Sequence, residues 1–350
     1  MFAAKFFTED ILEQTPQVTL ADIPANRRLV DELLAHKKIT PEGRDYALDF
    51  LTPADQWGLW ISRLFLAAGS ALVLCGVVYF FAFNWAKIAP LVKLSTIQGG
   101  LLCCLIGAYY YKLERVSGQI LLLSASVLTG VFMAVYGQIY QTGADAYQLF
   151  MMWSLFIFGW TVISNFAAQW VLWLAVTNVF LALWWEQAAL PERDMEALIF
   201  VGFAALNGLA LVLREVYVAR TQAAWLDRRW LRALLTIAVL VPLATPIMIW
   251  ILDGRDVSAS VKISALAGLV GHGLLYALYR FRFRDMWPLA AIALSGCILL
   301  ETLVLDFLVM NFEDTEVLMF LLMGLATIAI FSLAVLYLRR IISVMEAKHV

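Results

Sequence analysis

Ten apolar stretches, each about twenty residues long, are spaced along this 350-residue chain and restrict how it can fold. A run of this length can cross the hydrocarbon core of a bilayer as a helix, which satisfies all its backbone amides internally. Charged residues make up only 15% of the chain, against about a quarter in soluble domains. The sequence therefore predicts an all-α polytopic membrane bundle. The predicted spans are 58–83, 90–110, 118–140, 147–165, 168–186, 195–213, 231–252, 259–280, 286–305 and 316–338.

The basic residues divide unevenly between the two sides that ten spans would create. One side takes 20 of the 25 lysines and arginines. The other side takes only Lys87, Lys93, Arg193, Arg255 and Lys262. Cytoplasmic loops carry an excess of lysine and arginine, so the richer side is predicted to be cytoplasmic. The pattern predicts a membrane protein with both termini and the loop 214–230 in the cytoplasm.

The segment before the first span predicts a small helical region. The run 26–51 has leucines at helical spacing and reads as two short helices. Thr40 is a good N-cap for the second helix, and Pro41 is tolerated in its first turn. We predict a cytoplasmic helical hairpin region over 1–57, a membrane domain over 58–338 and a cytoplasmic tail over 339–350. Interleaved acidic residues and a net charge of -2 argue against a nucleic-acid partner.

Three segments are more distinctive than the hydropathy. They are LLAHKKITPEGRDYAL at 33–48, FAFNWAKIAPLVKL at 81–94 and GQIYQTGADAYQLFMMWSL at 137–155. Together they resemble the bacterial family of predicted membrane proteins called "domain of unknown function 2157", over roughly residues 28–190. The resemblance implies a protein of the bacterial inner (plasma) membrane. The family offers no activity to carry over to this chain, so the resemblance implies kinship and little mechanism.

Polar side chains inside the predicted spans are costly in hydrocarbon, and each needs a reason. Helix rise, counted from the span ends, places five of them near one level of the outer leaflet. These five are Lys93, Gln98, Gln138, Tyr140 and Glu301. Two interpretations fit this cluster: a polar pocket that opens outward, or hydrogen bonds between helices that fix their packing.

His272 lies at a different depth, roughly 10 Å or more below Glu301, so a direct pair between them is not expected. Its neighbours Gly271 and Gly273 allow another backbone to approach, which favours a structural hydrogen bond over a proton relay. The sequence contains no nucleophile with a base, no metal-ligand spacing and no phosphate loop. We therefore expect no enzymatic activity and no cofactor.

Two functions remain open at this point. One is a small-solute or proton-coupled transporter that uses the outward pocket. The other is a non-transporting structural, assembly or sensing subunit that partners another membrane protein or a second copy of this chain. The lipid bilayer is a partner in both cases. A five-plus-five inverted repeat would favour transport, and its only sequence sign is the tetrapeptide SASV at 124–127 and 258–261.

Overall fold

The computed structural model describes residues 27–51, 85–283, 285–312 and 315–346, together with nine helical positions scattered between 58 and 79. The chain divides into two compact units, residues 1–88 and 89–350. Apart from those scattered positions, the first predicted span, 58–83, lies outside the described residues. The terminal segments 1–26 and 347–350 also lie outside them.

The first unit contains a helical hairpin, α1 (Arg27–Ala35) and α2 (Pro41–Leu51). Thr40 caps α2, because its Oγ1 accepts a hydrogen bond of 3.1 Å from the backbone amide three residues later. Arg44 on α2 forms an ion pair of 2.8 Å with Asp31 on α1. This hydrogen bond raises the pKa of the Arg44 guanidinium. The predicted pair of short helices and its cap are confirmed.

The second unit contains nine long helices, and no strand occurs among the described residues. All nine are long and apolar enough to cross a membrane, so the all-α polytopic architecture is confirmed. Short π-helical turns at 185–189 and 278–282 lengthen two of them. The helices are α3 (Pro90–Tyr111), α4 (Val116–Tyr140), α5 (Ala146–Ile163), α6 (Ala167–Trp184), α7 (Ile199–Thr221), α8 (Arg229–Asp253), α9 (Ala259–Ala277), α10 (Met286–Asn311) and α11 (Glu316–Glu346).

Three helices run further than the hydropathy predicts. α7 continues to Thr221, α10 to Asn311 and α11 to Glu346, whereas the predicted ends are 213, 305 and 338. The loop predicted at 214–230 is therefore shorter, because its first turns are helical. The charged pair Arg214 and Glu215 does not end α7, since both side chains are buried and paired there. A hydropathy profile counts such charges as solvated and ends the span too early.

α8 is the central helix of the second unit. It packs against α7, α9 and α10, and it is the most buried of the nine helices. Leu235, Val239 and Leu240 on α8 belong to the main hydrophobic core. Gly268 on α9 allows a close crossing, because a Cβ there would lie 2.3 Å from the Leu243 carbonyl oxygen of α8. By contrast, α3 packs chiefly against α4, and α11 packs chiefly against α10.

Short connections join the consecutive helices, which therefore run antiparallel. Four connections lie at one side of the helices: 112–115, 164–166, 222–228 and the one that precedes Met286. We call this the basic side, because most arginines of the described helices lie there. The opposite side holds the connection 141–145 and those that follow α6, α8 and α10.

The tetrapeptide SASV occupies different positions in its two helices. It lies in the interior of α4 at 124–127, but it spans the start of α9 at 258–261. Symmetry-related repeats would place matching residues at matching distances from the start of a helix. The tetrapeptide therefore gives the inverted repeat no support, and the repeat stays a prediction.

Candidate functional site

Six polar side chains at the basic side form a set that we call the ionic cluster. They come from α7, the connection after it, the start of α8, the π-helical turn after α9 and the cap of α10. Arg214 and Glu215 at its centre are only 4% and 3% exposed. Burial of such charges costs several kcal/mol each unless they are paired, so the partners decide whether the cluster is stable. The members are Arg214, Glu215, Asp227, Arg232, Tyr279 and Asp285.

Arg214 holds the connection 222–228 in place. Its Nε and Nη2 both donate to the Leu226 carbonyl oxygen, at 3.1 and 2.9 Å. Nη2 also donates to Asp227 at 3.1 Å, and Nη1 donates to Glu215 at 2.7 Å. The guanidinium thus satisfies a backbone carbonyl and two carboxylates at once. A buried side chain of α7 therefore fixes the path of the connection that follows.

Arg232 joins the remaining helices to this centre. Its Nε donates to Glu215 Oε1 at 3.0 Å, and its Nη1 donates to Asp285. The fully buried Tyr279 donates its hydroxyl to the same Glu215 oxygen at 3.1 Å. Asp285 also caps α10 by accepting a hydrogen bond of 2.9 Å from the Trp287 amide. The cluster therefore ties together the basic ends of α7, α8, α9 and α10.

A cavity of about 1220 Å³ opens beside the connection 222–228, and we call it the groove. Its walls are the basic ends of α3, α4 and α5, the connections 112–115 and 164–166 that follow α3 and α5, and the segment 224–230. One of its walls is therefore the chain segment that Arg214 fixes. The ionic cluster and the groove are neighbours, and the cluster supports the groove.

The groove changes character with depth. Lys112, Asn165 and Arg228 lie at its mouth, in the connections between helices. Leu105 on α3 and Leu122 on α4 line its lower part. Leu105 precedes Lys112 by seven residues, which is roughly 10 Å at the rise of an α-helix. The groove therefore offers cations at the level of the helix ends and an apolar wall beneath them.

Aromatic side chains and free cations complete the lining. Trp160, Trp225 and Trp230 contribute to the walls, and the Trp225 ring lies 6.5 Å from the Tyr217 ring of α7. Lys112 and Arg228 have exposed side chains that form no ion pair with any residue the structure describes. Tryptophan is most stable at the boundary between lipid and water, where its ring is buried and its N–H stays solvated. The lining matches that boundary.

The connection 112–115 is held tightly against α4. A Cβ at Gly118 would lie 2.1 Å from the Lys112 carbonyl oxygen, so only glycine permits this approach. Gln119 Nε2 donates to the Leu113 carbonyl oxygen at 2.9 Å. Lys112 has a φ of 63°, a backbone conformation that costs a non-glycine residue about 1–3 kcal/mol. Such strain persists only where the surroundings enforce it, so this wall of the groove is well defined.

The structure separates the five residues of the predicted outward pocket into two groups. Gln98 on α3 and Gln138 and Tyr140 on α4 have exposed side chains. The Tyr140 ring packs at 4.6 Å against that of Tyr136. Lys93 lies in the first turn of α3, at the side opposite the groove. These four residues share one helix pair, and Glu301 lies on another helix.

Glu301 on α10 contacts α11. Its Oε2 accepts a hydrogen bond of 3.1 Å from Thr327. Its Oε1 is buried and has no hydrogen-bond partner among the described residues. No hydrogen bond joins Glu301 to Gln98, Gln138 or any other described member of the predicted pocket. The carboxyl group therefore has a protein neighbour and one unsatisfied oxygen.

His272 on α9 bridges two helices. Its Nδ1 bonds the Gly268 carbonyl oxygen at 2.8 Å, and its Nε2 bonds Ser295 Oγ of α10 at 2.9 Å. A carbonyl oxygen only accepts, so Nδ1 carries a proton and donates the bond to Gly268. Ser295 precedes Glu301 by six residues, about 9 Å along the helix. His272 therefore joins α9 to α10 by a hydrogen bond and does not pair with Glu301.

Other polar side chains within the spans also pair between neighbouring helices. The amides of Asn178 on α6 and Asn207 on α7 bond each other reciprocally, at 3.1 and 2.8 Å. Gln169 on α6 is fully buried and donates to Ser126 of α4 at 2.7 Å. Such bonds replace water that the membrane interior does not provide. These polar groups stabilise helix contacts.

Neither the ionic cluster nor the groove was predicted from the sequence. The arginines were used only to assign the topology, so Arg214 and Arg232 were given no partner. The available signal was the acidic residues Glu215, Asp227 and Asp285, which lie among these arginines at helix ends. The groove has no such signal, because its walls come from three separate segments of the chain, 105–122, 160–166 and 224–230. No three His, Cys, Asp or Glu side chains of the described residues are placed to hold a metal ion.

No curated protein and no solved structure matches this chain. A family model does match part of it. The matched residues include the N-terminal hairpin and α3 to α5, and the match ends just inside α6. Residues 31–170 match the family described as "Predicted membrane protein (DUF2157)", so the resemblance seen in the sequence is confirmed over that range.

Proposed function

We propose that this protein is a multi-pass inner-membrane protein that binds another component of the membrane in its groove and does not transport a solute. The basic side is the cytoplasmic side, so the groove opens at the cytoplasmic surface. The observation that carries the proposal is the groove itself, a large cavity with fixed walls at the ends of the membrane helices. The proposal keeps the absence of transport from the second sequence-based alternative, but it widens the partner from another membrane protein to any component of the membrane.

The pairing of polar groups within the spans supports binding over transport. A transport path needs polar side chains that face a common cavity within the membrane. His272 instead bonds Ser295, and Asn178 bonds Asn207, each across a contact between adjacent helices. The groove is lined by neither Glu301 nor Gln98. These contacts use the polar groups for packing.

The orientation can be tested by cysteine labelling in intact cells. The variants Gln222→Cys, on the basic side, and Thr142→Cys, on the opposite side, are made in a background without the four native cysteines. We expect an impermeant maleimide to label position 142 in intact cells and position 222 only after permeabilisation. Labelling of position 222 in intact cells would reverse the orientation.

The binding function can be tested by filling the groove. Val116 lines the groove and is 63% exposed, and Val317 on α11 is 85% exposed and lies outside it. Both residues stand near the start of a helix, so Val116→Trp and Val317→Trp are a matched pair. Native mass spectrometry of the purified protein should show a retained membrane component in the wild type and in Val317→Trp, and none in Val116→Trp. Equal retention in both variants would contradict the proposal.

Proton-coupled transport is the second candidate, and one observation favours it. The buried Oε1 of Glu301 has no hydrogen-bond partner among the described residues, as expected of a carboxyl group that exchanges a proton. Proteoliposomes with an internal pH dye and an imposed membrane potential distinguish the two functions. Binding without transport predicts the same proton flux as protein-free liposomes. A flux that Glu301→Gln abolishes and Gln98→Ala leaves intact would favour the transporter.

A further inference from the structure

We infer that the occupant of the groove is an anionic amphiphile of the membrane, a phospholipid with its phosphate at the level of Lys112 and Arg228 and its hydrocarbon chain beneath. The inference rests on the proposed binding function and names the ligand class of the same site. Three properties of the groove lead to it: its charge, its polarity with depth and its size.

The charge of the mouth favours an anion. Lys112 and Arg228 line it with Glu114, so basic residues exceed acidic ones there. Arg214 and Arg232, a few residues away, are saturated by carboxylates. Lys112 and Arg228 have no such partner within the described part of the chain and remain able to bind a ligand. Arginine binds phosphate through two parallel hydrogen bonds, and lysine binds it as a point charge.

The polarity with depth favours an amphiphile over a soluble anion. Leu105, Leu122 and Trp160 line the groove below its cationic mouth. A water-soluble phosphate ester would contact the mouth and leave this wall exposed. A phospholipid covers it with a hydrocarbon chain, which is stabilised in proportion to the apolar area removed from water. Basic pockets between helices at the cytoplasmic surface suit anionic head groups for the same reasons.

The volume of the groove and its fixed walls are suited to a phospholipid. The groove is open along one side and has a volume of about 1220 Å³, more than the roughly 300–1,000 Å³ typical of sites for small molecules. Two of its three connecting segments are held by contacts within the protein. Gly118 and Gln119 hold the segment at 112–115, and Arg214 holds the segment at 222–228. A preformed site of this kind loses little entropy when it binds.

The test compares two phospholipids with the same acyl chains on the full-length protein. Native mass spectrometry measures the retention of phosphatidylglycerol, which is anionic, and phosphatidylcholine, which is zwitterionic. The double variant Lys112→Gln/Arg228→Gln removes both cations of the mouth. Arg220→Gln/Arg282→Gln removes two exposed arginines of the basic side that lie outside the groove. The two variants change the net charge equally.

We expect the wild type and the control variant to retain phosphatidylglycerol in preference to phosphatidylcholine. The groove variant should bind phosphatidylglycerol about tenfold or more weakly, because charge-assisted hydrogen bonds to the phosphate are lost. Soluble glycerol phosphate should not displace the lipid. Equal loss in both double variants would overturn the inference, as would full displacement by glycerol phosphate.

The results also separate this inference from the proposed function. Retention of a zwitterionic lipid or of a polypeptide that Val116→Trp abolishes would overturn the ligand class and leave binding in the groove intact. Retention of phosphatidylglycerol that is unchanged in Val116→Trp would overturn both, because the lipid would then lie outside the groove.

Discussion

Two pairs of basic residues lie at the same side of the membrane helices and meet opposite environments. Arg214 and Arg232 are buried or nearly so, and carboxylates surround both guanidinium groups. Lys112 and Arg228 are exposed beside the groove and have no acidic partner among the described residues. The positive-inside rule counts all four alike. The structure shows that a basic residue at a helix end can serve either packing or binding.

The two environments are connected through one chain segment. Arg214 binds the Leu226 carbonyl oxygen, and the same connection places Trp225 and Arg228 in the wall of the groove. Arg214, which is paired with carboxylates, thus positions Arg228, which has no acidic partner among the described residues. Because only the arginines of the ionic cluster are paired with carboxylates, we expect substitutions in the cluster to reduce stability and substitutions at the mouth of the groove to reduce binding alone.

The largest effect on stability is expected at Glu215. Glu215→Ala leaves Arg214 and Arg232 buried without their shared carboxylate and removes the acceptor of Tyr279. Breaking a buried ion pair in this way costs about 3–5 kcal/mol. We expect a much lower yield of folded protein and a clear fall in the thermal unfolding temperature in detergent.

Asp227→Ala is the matched control, because Asp227 also binds Arg214 but its side chain is 56% exposed. Exposed ion pairs contribute about 1 kcal/mol or less, so the loss should be small. Equal unfolding temperatures for the two variants would show that the ionic cluster does not hold the helices together.

The next effect is expected at Gly118, on the groove side of the comparison. In Gly118→Ala the new Cβ would lie 2.1 Å from the Lys112 carbonyl oxygen, so the backbone must move. Overpacking of this kind costs about 1–3 kcal/mol. The thermal unfolding temperature and the retention of phospholipid should both decrease.

Gly99→Ala on α3 is the control for that substitution. Beyond its chain neighbours and the backbone of its own helix, no described atom lies within 4 Å of a Cβ placed at Gly99, and alanine is a better helix former than glycine. We expect unchanged or slightly raised stability and unchanged binding. A similar loss in both glycine variants would mean that the close approach at Gly118 is unimportant.

A smaller effect on stability is expected in the middle of the membrane, where neutral amides rather than charged side chains join the helices. A double-mutant cycle of Asn178→Ala and Asn207→Ala measures the coupling between the two amides. Hydrogen bonds between membrane helices average about 0.6 kcal/mol in such cycles. A coupling indistinguishable from zero would show that the reciprocal pair does not stabilise the contact between α6 and α7.

The smallest effect on stability is expected at the mouth of the groove. Arg228 is exposed and forms no ion pair with a described residue, so Arg228→Gln should change the free energy of unfolding by less than about 0.5 kcal/mol. The same variant should retain less phosphatidylglycerol. Destabilisation comparable to that of Glu215→Ala would remove the distinction between the two pairs of basic residues.

The sequence predicted the architecture well because hydropathy reports a local property. Nine of the ten predicted spans correspond to described helices, and Thr40 caps its helix as expected. The C-terminal end of α7 was wrongly placed, because the burial of Arg214 and Glu215 depends on partners further along the chain. Local patterns contain no information about such partners.

The candidate site was less predictable than the fold. Glu301 and Gln98 were predicted to lie at the same depth in the membrane, but depth alone does not say which helices are neighbours. In the structure α10 packs against α8 and α11, and α3 packs against α4. The groove depends on three connections that meet in space, including the glycine contact at Gly118. Only the packing of the helices brings these segments together.

The most direct test of the account is to locate a bound lipid in a crystal structure. The protein is crystallised from a lipid phase that contains phosphatidylglycerol with brominated acyl chains, and the bromine positions are read from anomalous scattering. If a phospholipid binds in the groove, we expect bromine peaks beside Leu105 and Leu122 and the head group next to Lys112 and Arg228. Bromine peaks confined to the exposed surface of α11, with no lipid in the groove, would contradict it.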